Sequence, residues 1–188
     1  MSADHQLMQA VRSGDIEKLG QLFEKHHKRL YNFFLGQTGN RQASEDLVQD
    51  VFLRMLKYRH TYRDDGDDGS FDTWMFRIAR NARIDYFRIN TIKYELLDET
   101  ESLVSNDPNP EEKYEHESEV TILRKALSAL PEDKREVILM SRFNNMRYEK
   151  IGKILNCTVG TVKVRMYRAM KELTEKYFDL TGGKRHEM

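Results

Sequence analysis

Between Phe71 and Ile89, FDTWMFRIARNARIDYFRI, an aromatic ring, an amide, a carboxylate and several guanidinium groups recur at spacings a helix gathers onto shared faces. With about 100° of turn per residue, Trp74, Arg77, Asn81, Asp85 and Arg88 fall on one arc, and Phe76, Arg80, Arg83 and Phe87 on another. Met75, Ile78, Ala79, Ala82, Tyr86 and Ile89 form a third, apolar arc, the only one that folding requires. A large ring in line with guanidinium and amide groups suits unstacked nucleobases and their phosphates. The same spacing suits a solvated charged face with Trp74 turned into the core, and the helix alone does not choose between the two.

A second constellation lies near the C-terminus. Asn156-Cys157-Thr158 marks a tight turn between a short helix with Tyr148, Ile151, Ile154 and Leu155 on its apolar side and a longer one with Val162, Met166, Ala169, Met170 and Leu173. Two helices joined by so short a turn make a helix-turn-helix. Thr158 is a suitable N-cap, and Gly160 in the first turn leaves room for a phosphate to approach the backbone. The outward face then carries Thr161, Lys163, Val164, Arg165, Tyr167, Arg168 and Lys171. Entering a major groove N-terminus first, such a helix reads base edges early and grips backbone further on. A small bundle with a basic, solvated face is the alternative.

Catalysis has no comparable signature. No carboxylate pair or nucleophile–base arrangement stands out. The six histidines are scattered with no metal-ligand spacing near the single cysteine, Cys157, so neither a metal, a cofactor nor an internal disulfide is expected. No apolar run approaches the roughly 20 residues that span a bilayer, and the N-terminus lacks a secretion signal, so a cytoplasmic protein is expected.

The elements that must position these residues read as helices throughout. Charged residues make up 33% of the 188-residue chain while glycine and proline are sparse, and no segment alternates with the period of a strand. Helices are expected over 4–13, from Ile16 to the Gly36–Gly39 break, and over 44–57, before the acidic turn-rich loop 64–70. The net charge of zero conceals an asymmetry: residues 95–121 hold ten acids against one lysine, whereas residues 122–188 hold fifteen bases against eight acids. The expected fold is therefore all-α: a helical domain over 1–93, a flexible acidic linker over 94–118, a helix-turn-helix domain over 119–178 and a tail over 179–188. The linker acids act either as a plain tether or as competitors with nucleic acid for the basic surfaces.

SEDLVQDVFLRMLK followed by FDTWMFRIARNARIDYFR resembles region 2 of the extracytoplasmic-function (ECF) sigma factors of the sigma-70 family, and LPEDKREVILMSRFNNMRYEKIGKILNCTVGTVKVRMYRAMKEL resembles their region 4. The resemblance implies a non-enzymatic factor, monomeric when free, that binds core RNA polymerase, recognises promoter DNA and opens it. It implies docking of 44–57 on the clamp helices of the largest subunit through Asp46, Gln49, Asp50, Leu53 and Arg54, and contact between region 4 and the flap of the second-largest subunit. Trp74 and Asn81 would meet melted minus-ten bases, Arg77, Arg80, Arg83 and Arg88 phosphates, and the loop 64–70 would wall the base pocket. The final helix would read the minus-thirty-five element, and an anti-sigma factor is a further implied partner.

Several positions depart from the family pattern. Arg147 stands where a serine usually caps the first helix of the motif. Gly152 replaces an alanine, at up to about 1 kcal/mol of helix propensity. Val164 replaces a serine and can touch a thymine methyl without hydrogen bonding. Asp85 either accepts from a base amino group or pairs with Arg88 or Arg77, the pair being favoured. Cys157 reads as a small buried filler rather than a redox sensor. Two other functions stay open at this stage: a helix-turn-helix regulator with an N-terminal sensing domain, and a helical adaptor that binds only proteins.

Overall fold

The computed structural model describes residues 2–63, 70–97 and 119–182, without the side chains of residues 70 and 91–97. Among the described residues there are helices and turns and no strand. The acidic linker, the loop 64–69 and the residues after Gly182 lie outside the described residues.

Four helices build the N-terminal unit. Helix α1 (Ala3–Arg12) starts where the Ser2 hydroxyl accepts from His5 N–H at 3.3 Å. Helix α2 (Lys18–Thr38) passes through Gly36 and stops only at Gly39, whose φ of 66° closes the helix in the left-handed conformation. Helix α3 (Arg41–Lys57) begins three residues before the expected Ser44, because Asn40 is the cap: its side-chain oxygen accepts from Ala43 N–H at 2.9 Å. Ser44 is instead buried, donating to the Asn40 carbonyl at 2.6 Å. After a 3₁₀ turn (Arg59–Thr61) comes helix α4 (Ser70–Leu97), which continues past the expected boundary at 93.

The core of this unit follows the apolar spacing. Leu22, Leu30, Phe33 and Phe34 of α2 meet Leu47, Val48, Val51 and Met55 of α3 and Met75, Phe76, Ala79 and Ala82 of α4. Phe33 and Phe76 pack edge to face with centroids 5.3 Å apart. Ile89, expected to face inward, is 51% exposed, and Ile16, the expected start of the second helix, is exposed and precedes it. No residue from Ile84 to Asn90 is buried, so this stretch of α4 adds little to the core.

The C-terminal unit consists of α5 (Glu119–Ser128), α6 (Glu132–Ile138), one π turn (Leu139–Phe143), α7 (Tyr148–Leu155) and α8 (Val159–Thr181). Pro131 precedes α6, where its missing N–H costs no helical bond, and Glu132 and Asp133 complement the N-terminal dipole. Helix α8 extends through the first residues of the expected tail and ends at Gly182, again left-handed. Its inward side, Val162, Met166, Ala169 and Leu173, packs with Ala126, Leu130, Val137, Ile138 and Ile151.

The two units touch. Helix α7 lies against α4, and α2 meets α5, α6 and the π turn. At Gly36 an added Cβ would sit 2.5 Å from a terminal methyl of Leu139.

Candidate nucleic-acid interface

The helix-turn-helix is shaped by its backbone. Asn156 ends α7 at φ 52° and ψ 49°, a left-handed conformation that asparagine tolerates better than most residues. Cys157 N–H then donates back to the Gly152 carbonyl at 2.9 Å. A Cβ on Gly152 would lie 2.8 Å from the Cys157 carbonyl oxygen, so the glycine that weakens α7 is what lets the turn fold tightly against it. Thr158 caps α8, accepting from Thr161 N–H at 3.2 Å. Arg147, at the N-cap of α7, supplies no side-chain cap. Cys157 is half-buried rather than fully enclosed.

This geometry leaves the forward face of α8 open. Thr158, Gly160, Lys163, Arg168 and Lys171 are exposed, and Thr161 and Arg165 half-buried. Val164 and Tyr167 are 50% and 73% exposed, large apolar surfaces that folding does not use. The face combines donors, cations and two apolar probes on one rigid helix, as major-groove readout requires.

On α3, Asp46, Gln49 and Leu53 are exposed, the last by 66%, and Asp50 and Arg54 half-buried. An exposed leucine framed by acids, amide and guanidinium suits a protein surface better than nucleic acid. Arg54 donates to Asp50 at 3.0 Å and, through Nη1, to Asp85 of α4 at 2.7 Å. Accepting from Arg54 holds the Asp85 carboxyl below the usual carboxylate range, despite some opposing desolvation. Arg88 is its second partner, at 3.1 Å.

Asn81 is exposed at the rim of a surface cavity of about 370 Å³ that it shares with Arg54, Tyr58, Ile78, Ile84 and Asp85. Apolar walls, one phenol ring and an amide with its polar edge free match the face and edge of an unstacked base. Trp74 is half-buried beside this region, its ring edge-on to Tyr62 with centroids 5.2 Å apart.

The remaining arginines of α4 are engaged by other side chains and carbonyls of the chain. Arg77 donates from Nε and Nη2 to the Lys153 carbonyl at 3.1 and 2.7 Å, in the last turn of α7. Arg80 lies 3.3 Å from Glu136. Arg83 is 1% exposed: Nη1 donates to Gln37 at 3.2 Å, and Nη2 pairs with Glu132 and faces Glu136 at 3.6 Å. Burial raises the Glu136 carboxyl above its ordinary range, against the pull of Arg83 and Arg80. Three of the four expected phosphate contacts are thus engaged by the C-terminal unit, and only Arg88 stays clear of it. Their partners Gln37, Glu132, Glu136 and the Lys153 carbonyl are not legible in the sequence, since helical periodicity cannot say which exposed arc a second unit will cover.

Among the described residues no group of three metal-capable side chains occurs, and no helix is long and apolar enough to cross a membrane.

Comparison with known proteins completes the picture. Residues 22–91 match Sigma-70 region 2 and residues 121–173 match Sigma-70, region 4, which span α2–α4 and α5–α8. The ECF RNA polymerase sigma factor SigE of Mycolicibacterium smegmatis is 32% identical over 158 residues, 82% of this chain and 60% of that protein. The ECF sigma factor SigM of Bacillus subtilis is 27% identical over 160 residues, 85% of this chain and 94% of that protein. The fold is shared with CnrH, solved in complex with the cytosolic domain of CnrY, at a TM-score of 0.67 and 23% identity over 93% of this chain and 96% of that one. The chain belongs to the sigma-70 family, and within it to the extracytoplasmic-function group.

Proposed function

We propose that this chain binds core RNA polymerase, directs it to promoters and promotes DNA opening, with a division of labour set by three surfaces. Helix α3, through Asp46, Gln49, Asp50, Leu53 and Arg54, docks on the clamp helices of the largest subunit. Helix α4 takes the minus-ten element: Asn81 and its cavity accept an unstacked base, Trp74 stands at the edge of the melted bases, and Arg77, Arg80, Arg83 and Arg88 hold phosphates. Helix α8 reads the minus-thirty-five element with Lys163, Val164, Tyr167 and Arg168, while Thr158, Gly160, Thr161, Arg165 and Lys171 contact backbone. The C-terminal unit also meets the flap of the second-largest subunit, and an anti-sigma factor is the expected holding partner. Residues 1–93 and 119–178 are the working units, and they act in the cytoplasm where polymerase and chromosome meet.

The observation that carries this reading is the cavity beside Asn81, built from both the polymerase-facing helix and the DNA-facing one. Unstacking a base costs a few kcal/mol, and stacking or pocket contacts return about 1–3 kcal/mol per base. Opening therefore needs binding surfaces and no bond-making step. Purified chain added to sigma-free core polymerase should yield promoter-specific transcripts; failure to bind core would end the proposal.

A further inference from the structure

Helix α1 lies before the residues 22–91 that match region 2, yet its polar side chains converge on one residue beside the strand-opening surface. In its first turn, His5 Nδ1 shares a hydrogen bond of 2.9 Å with the Tyr62 hydroxyl. In its last turn, Arg12 Nη1 donates to the Tyr62 carbonyl at 3.2 Å. The two residues stand two helical turns apart along one side of α1, so they hold the side chain and the backbone of Tyr62 at once. Docking of α1 rests on other groups: Met8 and Val11, between them in sequence, are fully buried. The polar pair therefore adds direction rather than the bulk of the attachment.

Tyr62 in turn meets the indole of Trp74. Its fully buried ring packs edge to face on Trp74, with centroids 5.2 Å apart, and on Phe71 at 6.3 Å. The adjacent Thr61 hydroxyl accepts from Trp74 Nε1 at 3.4 Å and donates to the Tyr58 carbonyl at 2.7 Å. A packed ring edge and a bonded N–H together restrict both side-chain torsions of the tryptophan. A base gains most from stacking on a ring already in place, because ordering a side chain at the moment of binding costs conformational entropy.

We propose that α1 is a positioning element for strand opening: His5 and Arg12 fix Tyr62, and Tyr62 with Thr61 fixes the Trp74 indole in the orientation that receives a melted base. This inference rests on reading Trp74 as the ring at the edge of the melted bases.

Trp74 is the single tryptophan of the chain, so its fluorescence reports on that orientation directly. His5→Leu and Arg12→Met remove the two hydrogen bonds and keep apolar bulk, whereas His5→Gln keeps a hydrogen-bonding group near the phenol. Anisotropy decay and acrylamide quenching of Trp74 are measured on the full chain. Opening is followed on core polymerase by permanganate reactivity of promoter thymines, with core affinity measured alongside. The His5→Leu/Arg12→Met double variant should free the indole, leave core affinity unchanged and lower opening by about tenfold, within the range that stacking one base on an aromatic ring contributes. His5→Gln alone should match the wild type in both readouts, and His5→Leu alone should not. In a Trp74→Ala background the double variant should cost opening nothing further. Unchanged indole freedom overturns the positioning role. A freed indole with undiminished opening, where Trp74→Ala still impairs opening, overturns the need for a fixed ring and leaves the reading of Trp74 intact. Opening indifferent to Trp74→Ala overturns that reading and this inference with it. Core affinity that falls in step with opening also overturns the proposal, since α1 would then support the fold as a whole. If the double variant does not fold, Tyr62→Phe, which removes only the hydroxyl, carries the same measurements and the same expected outcomes.

Discussion

Arg54 of α3 and Asp85 of α4 share an ion pair at 2.7 Å, which ties the helix proposed to face polymerase to the one proposed to face DNA. Both groups are partly solvated, so the pair contributes at most about 1 kcal/mol. Asp85 is depressed in the folded chain. Its stabilisation is therefore present above the ordinary carboxylate pKa and disappears as pH falls through the lower, folded value. A double-mutant cycle with Arg54→Ala and Asp85→Ala, read by thermal or urea unfolding, should show positive coupling at neutral pH that vanishes in acid. Coupling that persists unchanged in acid would show that the pair is not what links the helices.

Gly152→Ala should destabilise the C-terminal unit even though alanine favours helix by up to about 1 kcal/mol. The new methyl would meet the Cys157 carbonyl at 2.8 Å, a backbone atom that cannot rotate away. A loss of about 1–3 kcal/mol is expected, with weaker duplex binding as the turn shifts α8. An unchanged or raised melting temperature would contradict the geometry.

Asn81→Ala should lower strand opening, followed by permanganate reactivity of thymines in polymerase–promoter complexes, and spare duplex binding by the C-terminal unit. Trp74→Ala should do the same with an added stability cost, because its ring packs on Tyr62. Equal loss of duplex binding and opening would refute the division of labour.

Val164 and Tyr167 stand clear of the core. Replacing Val164 with serine should alter base preference at one position of the upstream element by about 1–3 kcal/mol and leave the salt dependence of binding alone. Arg168→Ala should weaken binding to all sequences and flatten the salt slope if Arg168 lies on phosphate, or relax one base position if it reads an edge. Selection of bound sequences from a random pool distinguishes the two.

Local rules carried most of the fold. Apolar periodicity placed Met75, Ile78, Ala79 and Ala82 inside and Lys163, Val164 and Tyr167 outside, and Thr158 caps α8 as its residue type suggests. The start of α3 is not legible in the sequence, because Asn40 follows Gly39 and the pair reads equally as a turn. Ile89 lies on the apolar stripe yet outside the core, because periodicity identifies a stripe but not how far its packing partner extends. Asp85 does pair with Arg88, yet Arg54, thirty-one residues away, is its shorter contact, and Arg77 is drawn off to Lys153. Arg83 shows the limit most clearly. Its chemistry is the same whether it meets phosphate or glutamate, and only the approach of a distant helix determines which one it meets here.

Helix α4 is one uninterrupted rod of 28 residues. From Trp74 to Arg88 it advances about 21 Å at 1.5 Å per residue, the rise of about six stacked base steps. Under the proposed function, the promoter stretch that this helix would address therefore has a built-in length. Changing the spacing between Trp74 and Arg88 by a full helical turn would move the point where the strands first part relative to the last phosphate held. The rod works as a ruler, and its gradations are helical turns rather than bases.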